Sequence, residues 1–498
     1  MRFCLGIFMA AMTATIARAA PFTDITAESG VSQMVAKHYQ QFPKWWLSGL
    51  TLVDLDGDGF LDLHLASHSG PSNPALAALN DGKGHFAAID PQMNIPRGPR
   101  QRFELPYAGG EIRLACDLNE DGKLDLLCSW HDGGGVLYIN ESKRPELVFK
   151  PSDLLDPFSR ATAIADIDGD GRADYLADER SNIQMILGNS KKTSIPALKE
   201  SCAIPVDLDG DGQLDLLVSQ RGYNPTRRLI LHNDGKMKFS DITKASGLEA
   251  DGGSIHGVGD VNHDGWPDLI CIEGDTVQIY LNDGKGHFTK KPDAIRGFNR
   301  VPNKPTSTNW GGAVVTDLDN DGKADVLIDG RNFLYVLRGA GDGTFDVMNE
   351  KWGITTLASS AVDEGFCFGD INNDGALDLV TCARGANENE KSVAVLRNDL
   401  PKQHWLRVRP IGASGNRSAT GAKIRITDPA TGKLLWYEQV AIWGRQSFHS
   451  YYATSPTERH FGLGERQTVD VSVEFHPSRK LVERRGIKAD AVLEIKEN

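Results

Sequence analysis

The string D-x-[DN]-x-D-G-x-x-D occurs seven times in the 498-residue chain, starting at Asp54, Asp117, Asp166, Asp207, Asp260, Asp317 and Asp370. Positions 1, 3, 5 and 9 carry a side-chain oxygen in every copy. They are Asp54, Asp56, Asp58 and Asp62; Asp117, Asn119, Asp121 and Asp125; Asp166, Asp168, Asp170 and Asp174; and Asp207, Asp209, Asp211 and Asp215. The last three sets are Asp260, Asn262, Asp264 and Asp268; Asp317, Asp319, Asp321 and Asp325; and Asp370, Asn372, Asp374 and Asp378. Short oxygen side chains at this spacing point inward from a tight loop and make a cage for a hard cation. Glycine at position 6 permits the sharp turn, and the position 7 carbonyl can add a ligand. Oxygen-only ligands exclude soft metals, and Mg²⁺ keeps its waters, so the expected ion is Ca²⁺, up to seven per chain and structural in role. The glutamate that closes an EF-hand loop at position 12 is missing, and Asp at position 9 closes these loops sooner.

The elements that position the loops are short strands. Successive loops start 63, 49, 41, 53, 57 and 53 residues apart. Each is followed by an apolar run, usually a polar break, a second run and a turn such as LNDGKGHF (79–86 and 281–288), with HNDGKMKF (232–239) and RGAGDGTF (338–345) as variants. Strands of this length between Gly- and Asp-rich turns, repeated every 41–63 residues, predict an all-β fold, a seven-bladed β-propeller with calcium-binding hairpin loops over residues 20–400. FTDITAESGV (22–31) nearly repeats FSDITKASGL (239–248), yet no unit precedes it. The seventh unit ends at VAVLRNDL (393–400) without its own outer turn. The N-terminal strand is therefore expected to complete the last blade and remove the open edge.

Charge divides along the same lines. The chain has 67 acidic and 54 basic side chains, net −13. Residues 1–20 carry +2, residues 21–400 carry 36 basic against 57 acidic groups, and residues 401–498 carry 16 against 10, or +6. An acidic chain of this kind is no general nucleic-acid binder, since phosphate neutralisation needs basic surface. Residues 1–19, MRFCLGIFMAAMTATIARA, have a basic start, an apolar run and an A-x-A site, which predicts a cleaved secretory signal and a secreted or periplasmic location. No segment is long and apolar enough to span a membrane. Six cysteines remain after cleavage, too few for a disulfide framework. They read as small core residues, with Cys367–Cys382 the one disulfide candidate.

The acidic string followed by N-D-G-x-G-x-F resembles the FG-GAP (VCBS) repeat family, which forms the integrin α-subunit propeller. The two parts match at seven and about four sites. The resemblance implies calcium hairpins on one face and ligand recognition on the other. INESKRPELVF (139–149) and LGNSKKTSI (187–195) depart from the turn, leaving the outer strands of the second and third units without their signal. HWLRV (404–408), GNRSATGAKIRI (415–426), HFGLGE (460–465) and VDVSVEFHPS (469–478) resemble the ASPIC/UnbV domain, found after such repeats in cartilage-acidic-protein-like proteins. Their period-2 alternation predicts a small antiparallel β-domain over 401–498.

Six residues past loop position 9 stand His68, His131, Arg180, Arg221, Gly274, Arg331 and Arg384, six of the seven basic. They are expected at the rim opposite the loops. Two roles stay open for them: a ring that binds carboxylate, sulfate or phosphate groups, or ion pairs between blades with Glu111, Glu200 and Glu364. Trp45, Trp46, Trp130, Tyr223 and Trp310 fall in the same rim segments and suit sugar faces. The H-E-x-x-H, G-x-S-x-G and P-loop signatures are missing. The leading expectation is a secreted calcium-stabilised scaffold, non-catalytic, that binds an extracellular glycan or protein, with anionic groups matching the ring. The alternative is a carbohydrate-active hydrolase or lyase on the same fold, with Glu111 and Glu364 as its carboxylate pair.

Overall fold

The computed structural model describes residues 21–42, 47–67, 75–89, 111–129, 135–143, 147–152, 160–179, 182–188, 191–198, 201–220, 227–297, 312–330, 333–354, 361–385, 391–443 and 458–497. Within them strands are the main regular element, joined by turns and loops, with two helices at Val31–Gln41 and Asn349–Trp352.

Seven antiparallel meanders follow one another between residues 47 and 400. The first sheet is typical, with strands Leu47–Val53, Asp62–Ser67, Leu76–Asn80 and Phe86–Ala88. Each acidic loop joins the first strand of a sheet to the second, and the ninth loop residue opens that second strand in all seven: Asp62, Asp125, Asp174, Asp215, Asp268, Asp325 and Asp378. Outer strands also form where the turn signal is missing, at Phe149–Ser152 and Lys192–Pro196.

The sheets are arranged in a ring. The first strand of every sheet packs on the first or second strand of its neighbour, and Leu47–Val53 of the first sheet meets Ala361–Gly369 of the seventh. Apolar residues on facing sheets fill the gaps; Leu50, Leu52 and Leu65 of the first sheet share one cluster with Cys367, Val380 and Val395 of the seventh. A single meander could bury only one such face, so the sheets stabilise each other by contact. In five sheets the first strand carries a register shift, as at Ser48/Leu50 and Ile255/Gly257, which bends the strand nearest the axis.

Phe22–Asp24 pairs antiparallel with Lys391–Asn398 as the outermost strand of the seventh sheet. The related segments then act alike. The Phe86 N–H donates to Ser29 O at 2.8 Å, and the Phe288 N–H donates to Ser246 O at 2.8 Å, so each segment fastens the outer strand of the following sheet.

Residues after 400 form two small sheets that share a core of Leu406, Val408, Ile424, Trp436, Phe461 and Val471. The strands are mostly antiparallel, but His404–Ile411 pairs in parallel with Ala491–Lys496. The tail is not a separate body. Ala324 of the sixth acidic loop belongs to its core, and Ile442–Trp443 adds a fifth strand to the third sheet opposite Ala163 and Ile164.

One expectation is corrected. All six cysteines are buried thiols with no disulfide among them. Cys367 lies opposite Val380 and Cys382 opposite Gly365, so the hairpin register sets the two thiols two residues apart rather than face to face.

Candidate metal centres and the tail that covers them

One hydrogen-bond pattern builds each acidic loop. The position 6 glycine N–H donates to the position 1 carboxylate in all seven copies, from Gly59 to Asp54 at 2.9 Å through Gly375 to Asp370 at 2.9 Å. This glycine has positive φ throughout, 89° at Gly59, a backbone state that a side chain would strain. The position 5 carboxylate accepts the N–H of position 7, as in Phe60 to Asp58 at 2.8 Å. A nine-residue string therefore folds its own loop.

Position 9 differs from its reading as a plain fourth ligand, because its two oxygens are already engaged. Asp62 accepts the N–H of Leu55 at one oxygen and of Asn80 at the other, both at 2.8 Å. Asp325 does the same with Leu318 and Gly339, at 2.9 and 2.8 Å. This carboxylate clasps the loop to the third strand, and only its remaining lone pairs face the loop interior.

Carboxylate oxygens of several loops converge. Asp54, Asp56 and Asp58 bring ligand atoms within 4.8 Å of one another, as do Asp166, Asp168 and Asp174, and Asp317, Asp319 and Asp325. Asp166 Oδ1 and Asp319 Oδ1 are buried without a hydrogen-bond partner. Burial without a counter-charge pushes the carboxyls of Asp62, Asp166 and Asp260 up to about 7 and that of Asp268 up to about 8. A buried, partnerless carboxylate oxygen within a converging oxygen set is what a hard divalent cation fits. The third loop meets that test most fully.

Other loops hold cations of the protein itself. Lys423 Nζ lies 2.5 Å from Asp207 Oδ2, and His232 Nδ1 lies 2.9 Å from Asp215 Oδ1. Arg338 spans Asp319 and Asp321 of the sixth loop, at 2.5 Å to each. Arg407 Nη2 is 3.6 Å from Asp370 Oδ2, and Lys402 Nζ is 3.6 Å from Asp374 Oδ2. Lys402, Arg407 and Lys423 come from the basic tail, which lies over the loops. The Gly464 N–H donates to Asn320 O at 2.8 Å, His476 Nε2 to Asp166 O at 2.8 Å, and the Ala173 N–H to Gly415 O at 2.9 Å. The net acidity of the ring is thus partly met by its own C-terminal domain.

Sequence reading missed the asparagine that ends the third strand. Asn80, Asn140, Asn233, Asn282 and Asn398 each donate from Nδ2 to a carbonyl of their own loop and to one in the loop of the preceding sheet. The repeated Leu-Asn-Asp-Gly turn held the signal. The sheet ends without this asparagine have Gly188 and Gly339 in its place.

His68, His131, Arg180, Arg221, Arg331, Glu200, Trp45, Trp46, Trp130, Tyr223 and Trp310 lie outside the described residues, as do residues 1–19. Of Arg384, Glu111 and Glu364 the structure describes the backbone alone, in the strands Asp378–Gly385, Glu111–Cys116 and Ala361–Gly369.

The FG-GAP-like repeat family matches residues 117–177, 207–271, 260–328 and 317–381, and the ASPIC and UnbV family matches residues 412–498. Cartilage acidic protein 1 of Mus musculus is 25% identical over 292 residues, covering 53% of this chain and 41% of its own. The Homo sapiens protein is also 25% identical, with 40% of its length covered. The chain thus spans about two fifths of the length of the curated relatives it matches. Among solved structures, an Agrocybe aegerita lectin specific for non-reducing terminal N-acetylglucosamine aligns with TM-score 0.41 and 18% identity, over 62% of this chain and 83% of its own. PorZ, a surface component of the type-IX secretion system of Porphyromonas gingivalis, aligns with TM-score 0.42 and 14% identity, over 87% of this chain and 58% of its own.

Proposed function

We propose that this chain, which belongs to the FG-GAP-like repeat proteins with a C-terminal ASPIC and UnbV domain, is a secreted, calcium-stabilised seven-bladed propeller. It acts as a non-catalytic binding scaffold for an extracellular glycan or protein. The supporting observation is the set of acidic loops, one per sheet and all between the first and second strands, with a buried Asp166 oxygen that has no hydrogen-bond donor. Loops of extracellular type bind calcium with Kd of ~10⁻⁴–10⁻³ M. At about 1 mM free calcium each filled loop then stabilises the fold by roughly 0.4–1.4 kcal/mol. Calcium here holds the sheet ends, and recognition falls to the rim bearing His68, His131, Arg180, Arg221, Arg331 and Arg384.

A screen of anionic glycans and extracellular proteins, with and without calcium, tests this reading. Binding should require calcium and should weaken in the Arg221→Ala/Arg331→Ala/Arg384→Ala variant. Unchanged binding in that variant removes the ring from the proposal, and turnover of a polysaccharide would replace the scaffold with a hydrolase or lyase.

A further inference from the structure

The fourth acidic loop holds a buried lysine ammonium at its position 1 carboxylate. Lys423 reaches it from the tail strand Lys423–Thr427, and both partners are out of solvent, Lys423 at 9% and Asp207 at 1% side-chain exposure. Asp207 Oδ2 also accepts the Gly212 N–H at 2.9 Å, and Oδ1 accepts the Gly210 N–H at 2.7 Å. The position 1 carboxylate thus accepts from three protein donors, one of them a full positive charge. His232 approaches from the third strand, with Nδ1 2.9 Å from Asp215 Oδ1 and 3.9 Å from Asp209 Oδ2. A ring nitrogen that faces a carboxylate at 2.9 Å carries the proton, so it presents a donor to the loop rather than a lone pair. Asp209, Asp211 and His232 keep one ligand atom each within 4.8 Å of one another, and with Nδ1 protonated only His232 Nε2 keeps a lone pair.

Three further tail contacts surround the same loop. Gln439 Oε1 accepts the Asp207 N–H at 3.0 Å, and Arg479 donates to Asp211 O at 3.1 Å and to Gly210 O at 3.5 Å. A divalent cation entering here would have to meet an ammonium already bonded to Asp207, at a mutual repulsion that burial strengthens. The donor set does not fit calcium.

We propose that the fourth loop is not a calcium site but the socket that fixes the C-terminal domain to the ring, with the Lys423 ammonium as its resident cation. The chain then carries at most six calcium loops. Calcium filling of the other loops and the docking of the tail at this one are separate events, because this tether needs no metal. The inference rests on the calcium reading for the other loops, and the controls below separate the two.

Native mass spectrometry of the full chain with added calcium counts bound ions. Asp211→Asn, at an exposed loop position away from the ion pair, should leave the count unchanged, whereas Asp170→Asn, the same loop position in the third loop and Asp in all seven copies, should lower it by one. A loss of one ion in Asp211→Asn overturns the proposal, as does zinc binding to the wild type that Asp211→Asn abolishes. An unchanged count in Asp170→Asn counts against the calcium reading of the third loop instead. Hydrogen exchange gives a readout independent of metal. In excess EDTA, Lys423→Met should raise exchange of the tail amides by roughly 10²–10⁴-fold, the loss expected from breaking one buried ion pair. Unchanged tail protection in that variant overturns the socket whatever the calcium count.

Discussion

Asn282 Nδ2 donates to Leu208 O at 2.9 Å, across 74 residues and from the fifth sheet to the acidic loop of the fourth. Its second hydrogen goes to Pro267 O at 3.1 Å, in its own loop. The same fork occurs at Asn80, where the carbonyl reached is Ile371 of the seventh sheet, so the stitching runs through the point where the ring closes. Asn282→Ala leaves two buried carbonyls without these donors and should cost about 1–3 kcal/mol. Urea unfolding of the full chain measures it; a change within error would show that water replaces the amide.

Chelation should destabilise the ring. With at most six filled loops at ~0.4–1.4 kcal/mol each, removing calcium costs up to about 8 kcal/mol at millimolar calcium. Calorimetry in calcium and in excess EDTA gives the shift in melting temperature, and an unchanged melt would contradict calcium in these loops.

Acid should protect the metal-free protein. Burial raises the carboxyls of Asp260 and Asp268 from 3.8 to about 7 and about 8, so the metal-free folded form holds protons that the unfolded chain releases. Its stability is then greatest at low pH and falls between about pH 4 and pH 8. Calcium binding needs the ionised carboxylates and must expel those protons, so calcium affinity rises over the same window. Melts in EDTA and calcium titrations at pH 5 and pH 8 should move in opposite directions.

Loss of the first strand's anchor should open the ring. Phe22 is buried in the seventh sheet's cluster with Phe366 and Leu396, and its ring centroid is 6.1 Å from that of Trp352. Phe22→Ala should cost about 3–5 kcal/mol and free the edge of Lys391–Asn398. Denaturant unfolding reads the first effect and light scattering the second. Equal stability with no aggregation would mean that the pairing beyond Phe22 suffices.

The sequence alone determined what is local or repeated. Each loop is built from hydrogen bonds inside one nine-residue string, so Asp54 to Asp62 and their six counterparts were legible without a fold. The near-identity of 22–31 and 239–248 pointed to the closing strand, because equal strings make equal contacts. Tertiary structure decided everything that depends on which surfaces meet. Lys423 and Asp207 are 216 residues apart, and no pattern around either marks the other. Arg338 faces Asp319 and Asp321 only because the third strand of its sheet ends above the loop. The hairpin register that separates Cys367 from Cys382, and the parallel pairing of His404–Ile411 with Ala491–Lys496, likewise follow from packing. Seven equal strings therefore gave seven equal loops, while the charges that other parts of the chain bring to them make the fourth unlike the third.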